Sequence, residues 1–179
     1  YTYDGDKPLA DHAPGDVLKT RTLPYHLVGL PLPLKVVQVV FRSTNARNEP
    51  IAAVTSVIKP LYGAGTKVIS YQSFYDSLDP EHGPSRSIAG DVSLGGSIAN
   101  VETGLILPFL LQGFAVNIAD TEGPTADFAA GPEYGQVTLD SIRAAIAAPG
   151  TGIAPTARVG LVGYSGGAIA TNWASVLAP

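Results

Sequence analysis

Two runs of β-branched residues, "KVVQVVFRST" (35–44) and "IAAVTSVIKP" (51–60), are parted by "NARNEP". Val, Ile and Thr suit a pleated, half-buried surface, while Asn, Glu and Pro in the gap are turn chemistry, so the pattern predicts an antiparallel pair. "KVISYQ" (67–72) predicts a third strand. Residues 73–100 are rich in Gly, Ser, Asp and Pro with no lasting period and read as loop. In "ANVETGLILPFLLQGF" (99–114), Val101, Leu105 and Phe109 fall on one helical stripe, with Pro108 expected to distort it.

The rhythm then changes. "FAVNIAD" (114–120) predicts a buried strand. "EYGQVTLDSIRAAIAA" (133–148) predicts a helix with Leu139, Ile142 and Ile146 on one face, stopped by Pro149 and Gly150. "ARVGLVGYS" (157–165) is a strand running into glycines. "GAIATNWASVLA" (167–178) closes with Ile169, Trp173, Val176 and Leu177 at helical spacing. Strand, helix, strand, helix implies a parallel sheet with crossovers, the α/β class. Residues 1–34 hold five prolines (Pro8, Pro14, Pro24, Pro31 and Pro33). Pro cannot donate in a ladder, so this stretch is expected to be an irregular N-terminal arm, with the α/β unit over 35–179.

Composition narrows the partners. With 45% apolar and 15% charged residues, the 179-residue chain has the material for a real core. Its net charge of −4 is uneven. Nine Lys/Arg against eight Asp/Glu up to Arg86 give +1, and two against seven from Ser87 onward give −5. That second half cannot build a basic face, so nucleic acid is not an expected partner. Having no Cys, the chain can form neither disulfides nor a thiolate metal site. The most apolar run, "GLILPFLLQGF" (104–114), is too short to cross a bilayer, so no transmembrane segment is expected. Met is absent and Tyr1 stands first, which reads as a processed or excised chain.

The chemistry is concentrated in "GYSGGA" (163–168). A GxSxG pentapeptide alone is weak, but here an apolar strand enters it and an amphipathic helix leaves it, the context of a nucleophile elbow. Ser165 would sit at the apex with its hydroxyl exposed. Gly163 and Gly167 flank it where a Cβ would strike the neighbouring strand and helix. The Gly166 N–H would point, at the helix N-terminus, to where a carbonyl oxygen gains negative charge. A Gly-rich nucleotide-binding turn is the bland alternative, yet "GLVGYSGG" lacks both G-x-G-x-x-G and the P-loop Lys. A second oxyanion donor is expected from the turn after "FAVNIAD", with Asp120 at the strand's carboxyl end; an ordinary turn Asp is the alternative there. The base is missing: His12, His26 and His82 all precede Ser165, and no acid follows it.

Several long segments in order, "VVFRSTNARNEPIAAVTSVIKP", "ISYQSFYDSLDP", "VNIADTEGPTADFAAGPEYGQVTLDSIRAA" and "VGLVGYSGGAIATNWASVLAP", resemble the secretory lipases, and "APGDVLKTRT" and "GLPLPLK" extend the likeness into the arm. The resemblance implies an α/β-hydrolase fold and a secreted, cofactor-independent lipase or esterase acting on acylglycerol-type esters. Ser165 matches the nucleophile, and Asp120 and Gly166 match the oxyanion hole. It further implies that the catalytic Asp and His come from a second chain or a C-terminal segment. One departure stands out: many members carry a Cys near "LDPEHG", and this chain has none. A non-catalytic α/β-hydrolase-like binding module, or a serine hydrolase of other specificity such as a small-ester esterase, peptidase or acyltransferase, remains open.

Overall fold

Val-rich alternation builds the first half of the sheet. In the computed structural model, which describes residues 1–178, β1 (Val17–Leu27), β2 (Leu30–Thr44) and β3 (Pro50–Ile58) form an antiparallel meander. β4 (Lys67–Gln72), β5 (Ala115–Ala119) and β6 (Arg158–Gly163) complete a six-stranded sheet in the order β1-β2-β3-β5-β4-β6. β5 pairs antiparallel with β3, and β4 pairs parallel with both β5 and β6. Among the described residues, β2, β4, β5 and β6 therefore run one way and β1 and β3 the other. Alternate side chains along β2 divide between two cores: Val36 joins Ile58, Tyr71, Ile106 and Val116 on one face, and Val37, Val39 and Phe41 join Val137 and Ala144 on the other. The five residues of β5 are all buried, as a central strand covered on both sides requires. Helices α1 (Pro84–Ile88) and α2 (Ser97–Leu111) supply residues to the first core, and α3 (Gly131–Ala147) supplies the second; α4 (Gly166–Leu177) packs against α3 and the β4–β6 end of the sheet.

The arm differs from expectation. Only residues 1–16 lie outside the sheet, with a 3-10 turn at Leu9–Asp11; 17–34 belong to the β1–β2 hairpin. Its prolines are tolerated by position. Pro24 lies on edge strand β1 at a register shift, and Pro31 and Pro33 precede Val36, where pairing with β3 begins, so one flank of β2 has no ladder to supply there. The segment read as loop, 73–100, contains a 3-10 turn (Pro80–His82), α1 and the first residues of α2.

Helix faces also depart from the apolar stripes. α2 buries Ala99, Glu102, Ile106 and Leu110, while Val101 is 71% exposed. α3 buries Val137, Thr138, Asp140, Ser141, Ala144 and Ala145 rather than Leu139, Ile142 and Ile146. α4 buries Gly166, Gly167, Ala170 and Ala174 and leaves Val176 and Leu177 exposed. Small residues permit close approach, and, although Thr138 Oγ1 and Glu133 Oε1 on α3 have no partner among the described residues, several buried polar groups do. Asn117 of β5, for example, accepts from Thr55 Oγ1 at 2.7 Å and donates to Ser141 Oγ at 2.9 Å.

Candidate active site

Ser165 stands between β6 and α4 as the helix N-cap, at φ 49° and ψ −121°. An L side chain rarely adopts this geometry, and it persists only where the surroundings over-determine it. Two glycines do so here. A Cβ on Gly163 would collide with the Gly167 carbonyl and lie 2.7 Å from Thr171 Oγ1; one on Gly167 would collide with the Gln72 carbonyl at the end of β4. Strand and helix thus touch backbone to backbone, and the turn between them has no gentler path. The Ser165 carbonyl accepts from Ala168 N–H (2.9 Å) and Ile169 N–H (3.3 Å), which opens α4. The Ser165 side chain is exposed and makes no capping bond to the helix. Its hydroxyl is therefore held off the sheet.

The side chain set against Gly166 is Asp76. A Cβ on Gly166 would collide with Asp76 Oδ1, so the carboxyl stands beside the Gly166 amide. Burial raises the Asp76 pKa, and the Gly166 N–H opposes that rise. Asp76 itself sits at φ 39°, in the turn that follows β4.

Asp120 is elsewhere. Its own N–H donates to the Val54 carbonyl at 2.9 Å, so it has no free amide to offer an oxyanion. Its carboxylate accepts from Ser85 N–H (2.9 Å) and Ser85 Oγ (2.6 Å), tying β5 to α1, and burial pushes its pKa up to about 6. The assignment of Asp120 beside Gly166 is thereby corrected to Asp76. The physical reason is strand order: β4 lies between β5 and β6, with Gln72 opposite Gly163, so the loop after β4 abuts the elbow and the loop after β5 is one strand removed. The signal available in the sequence was "SFYDS", directly after the strand "KVISYQ".

None of the three histidines has Ser165 as its partner. His12 Nδ1 lies 3.8 Å from Asp16, His26 Nδ1 is 3.0 Å from the Ile88 carbonyl, and His82 Nδ1 is 2.8 Å from Ser77 Oγ. Among the described residues, no group of three His, Cys, Asp or Glu side chains converges to hold a metal ion, and no helix is long and apolar enough to cross a membrane.

The secretory lipase family model matches residues 88–179. Lipase 5 of Candida albicans is 36% identical over 99% of this chain and 39% of its own length. A protein of Mycobacterium tuberculosis described as a probable inactive lipase is 36% identical over 90% of the chain and 37% of its own length. The crystal structure of Candida antarctica lipase A in its closed state superposes with a TM-score of 0.81 at 32% identity, covering 96% of this chain and 42% of that one. The chain thus spans about two fifths of the length of these relatives. Its architecture is the α/β-hydrolase fold.

Proposed function

Because the chain belongs to the secretory lipase family, we propose that it carries the nucleophile and oxyanion site of a secreted serine lipase or esterase, whose acid and base are supplied by a further segment or a second chain. The observation that carries this reading is Ser165, strained and exposed at the strand-to-helix turn, next to a Gly166 amide with the Asp76 carboxyl set against it. In the reaction, Ser165 Oγ attacks the ester carbonyl carbon while the supplied His takes its proton. The carbonyl oxygen becomes anionic at the Gly166 N–H. The C–O bond to the alcohol then breaks, and His returns the proton to the leaving alkoxide. Water, deprotonated by the same His, attacks the acyl carbon; the acyl–Oγ bond breaks and His returns the proton to Ser165 Oγ as the carboxylic acid leaves. Loss of one oxyanion donor typically costs about 3–4 kcal/mol in barrier.

Asp76 takes the place first given to Asp120. Its carboxyl, whose pKa burial raises, must move off the Gly166 amide as the ester carbonyl arrives. Ser165→Ala in the complete protein abolishes p-nitrophenyl ester turnover and fluorophosphonate labelling while the fold stays intact. Turnover retained by that variant would place the nucleophile elsewhere.

One observation favours a second reading, a non-catalytic binding module: the Asp76 carboxyl crowds the Gly166 amide, and one relative is described as a probable inactive lipase. Absence of fluorophosphonate labelling in the complete wild-type protein selects it. A chain-length series of esters sorts lipase from small-ester esterase, and a peptide substrate tests for peptidase activity.

A further inference from the structure

Two carboxylates are buried beside the turn that carries Asp76, and neither is needed for chemistry at Ser165. Glu102, on the inner face of α2, is 2% exposed. Its Oε1 accepts from Phe74 N–H (3.0 Å) and Tyr71 OH (3.1 Å), and its Oε2 from Ser73 Oγ (2.5 Å). Glu122, in the loop after β5, is 1% exposed. Both of its oxygens lie within 3.2–3.3 Å of Ser77 N–H, and its Oε1 also accepts from Tyr134 OH at 2.9 Å. The Glu122 N–H in turn donates to Tyr75 OH (2.8 Å). The backbone amides at 74 and 77, on either side of Asp76, are therefore both held by acids from other elements.

Burying a carboxylate without a cation is unfavourable, and here the charged neighbours are acidic too. Asp76 acts on both groups and Asp120 on Glu122, while Tyr134 and Tyr75 face Glu122 and His82 reaches it only through Ser77. Burial raises both pKa values, Glu122 to about 7. An apolar side chain of similar volume would give a more stable interior, but it could not hold several donors at once. A carboxylate can, because it is an acceptor at both oxygens. The donors it gathers belong to a turn whose central residue has φ 39° and cannot keep that conformation through local preference.

We infer that Glu102 and Glu122 are positioning residues, which clamp the 73–77 turn from two sides so that Asp76 is set against Gly166 within reach of the Ser165 reaction centre. The inference rests on the hydrolase reading of Ser165. It acts through geometry: a displacement of about 1 Å at the oxyanion site can lower turnover by roughly a hundredfold while leaving distant substrate contacts untouched.

The test uses the complete enzyme and p-nitrophenyl ester kinetics, with active sites titrated to completion by a fluorophosphonate. Glu122→Ala and Glu102→Ala lower kcat by about tenfold to a hundredfold with KM within twofold, and Glu→Gln at each position recovers most of the loss, since the amide keeps one acceptor oxygen. If an Ala variant does not fold, Tyr134→Phe and Ser73→Ala, which each delete one donor to a clamp, lower kcat in the same sense by a smaller factor. Variants that melt earlier yet keep wild-type kcat per titrated site reduce the acids to structural fillers and overturn the inference. A wild-type enzyme that neither labels nor turns over ester overturns the hydrolase reading instead.

Discussion

Backbone strain at Ser165 can be measured by removing the Cβ. At φ 49° and ψ −121° an L residue is held at a cost of about 1–3 kcal/mol, whereas for Gly the point is equivalent to its mirror image near −49° and 121°, an ordinary extended-turn conformation. Glycine gains freedom in the unfolded chain, which offsets about 0.5–1 kcal/mol. Ser165→Ala and Ser165→Gly both lack the hydroxyl, so their difference isolates the Cβ. The Gly variant is expected to be the more stable by about 0.5–2 kcal/mol, although both are inactive. Urea unfolding of the two variants of the complete protein, followed by intrinsic fluorescence, measures the gap as a shift in midpoint at constant slope. Equal midpoints, or a lower one for Gly, would refute the claim that the elbow stores strain at this residue.

Other outcomes test the surrounding structure. Gly167→Ala drives a Cβ into the Gln72 carbonyl, so β4 and α4 must part; a loss of about 1–3 kcal/mol and of fluorophosphonate labelling is expected. Gly104→Ala, on exposed α2 backbone with nothing within 4 Å, instead raises stability by about 0.5–1 kcal/mol in the same unfolding assay. Glu133 is buried with Oε1 unpartnered, faces Asp127, Arg47 and the Ala46 N–H, and has its pKa pushed by burial to about 7. Its folded-state pKa exceeds the unfolded one, so the folded protein keeps a proton that the unfolded chain loses between about pH 4.5 and 7. Stability therefore falls as pH rises through that window and levels above it; Glu122 and Asp120 (about 6) add to the same slope, and Glu133→Gln flattens it in pH-resolved melting. Asp76→Asn lowers kcat with little change in melting temperature, whereas Asp120→Asn lowers melting temperature more than kcat per titrated site, and the reverse pattern would refute the placement of the Asp76 carboxyl at the reaction centre.

What could be read along the chain was local. The β-branched runs at 35–44, 51–60 and 67–72, the apolar run at 114–120 and the passage of β6 through glycines into α4 each carry their own pattern, and the structure places strands or a strand-to-helix turn within them. Helix faces were misread because burial in this sheet is granted to small residues that admit close backbone contact and to polar ones, most of them held by hydrogen bonds. Ala99, Glu102, Ala170 and Ala174 face inward while Val101 and Val176 face out, and an apolar stripe cannot report that. The β1–β2 hairpin was hidden by its prolines, which are harmless only because a sheet edge and an unpaired flank lie beside them. The sequence by itself determined that a hydroxyl would be lifted at residue 165 between two close-packed glycines. Only the tertiary structure decided which acid stands beside it, because β4 inserts between β5 and β6 through pairings of residues far apart in the chain. Such pairings are chosen by the packing energy of the whole sheet, and no short stretch of sequence records them.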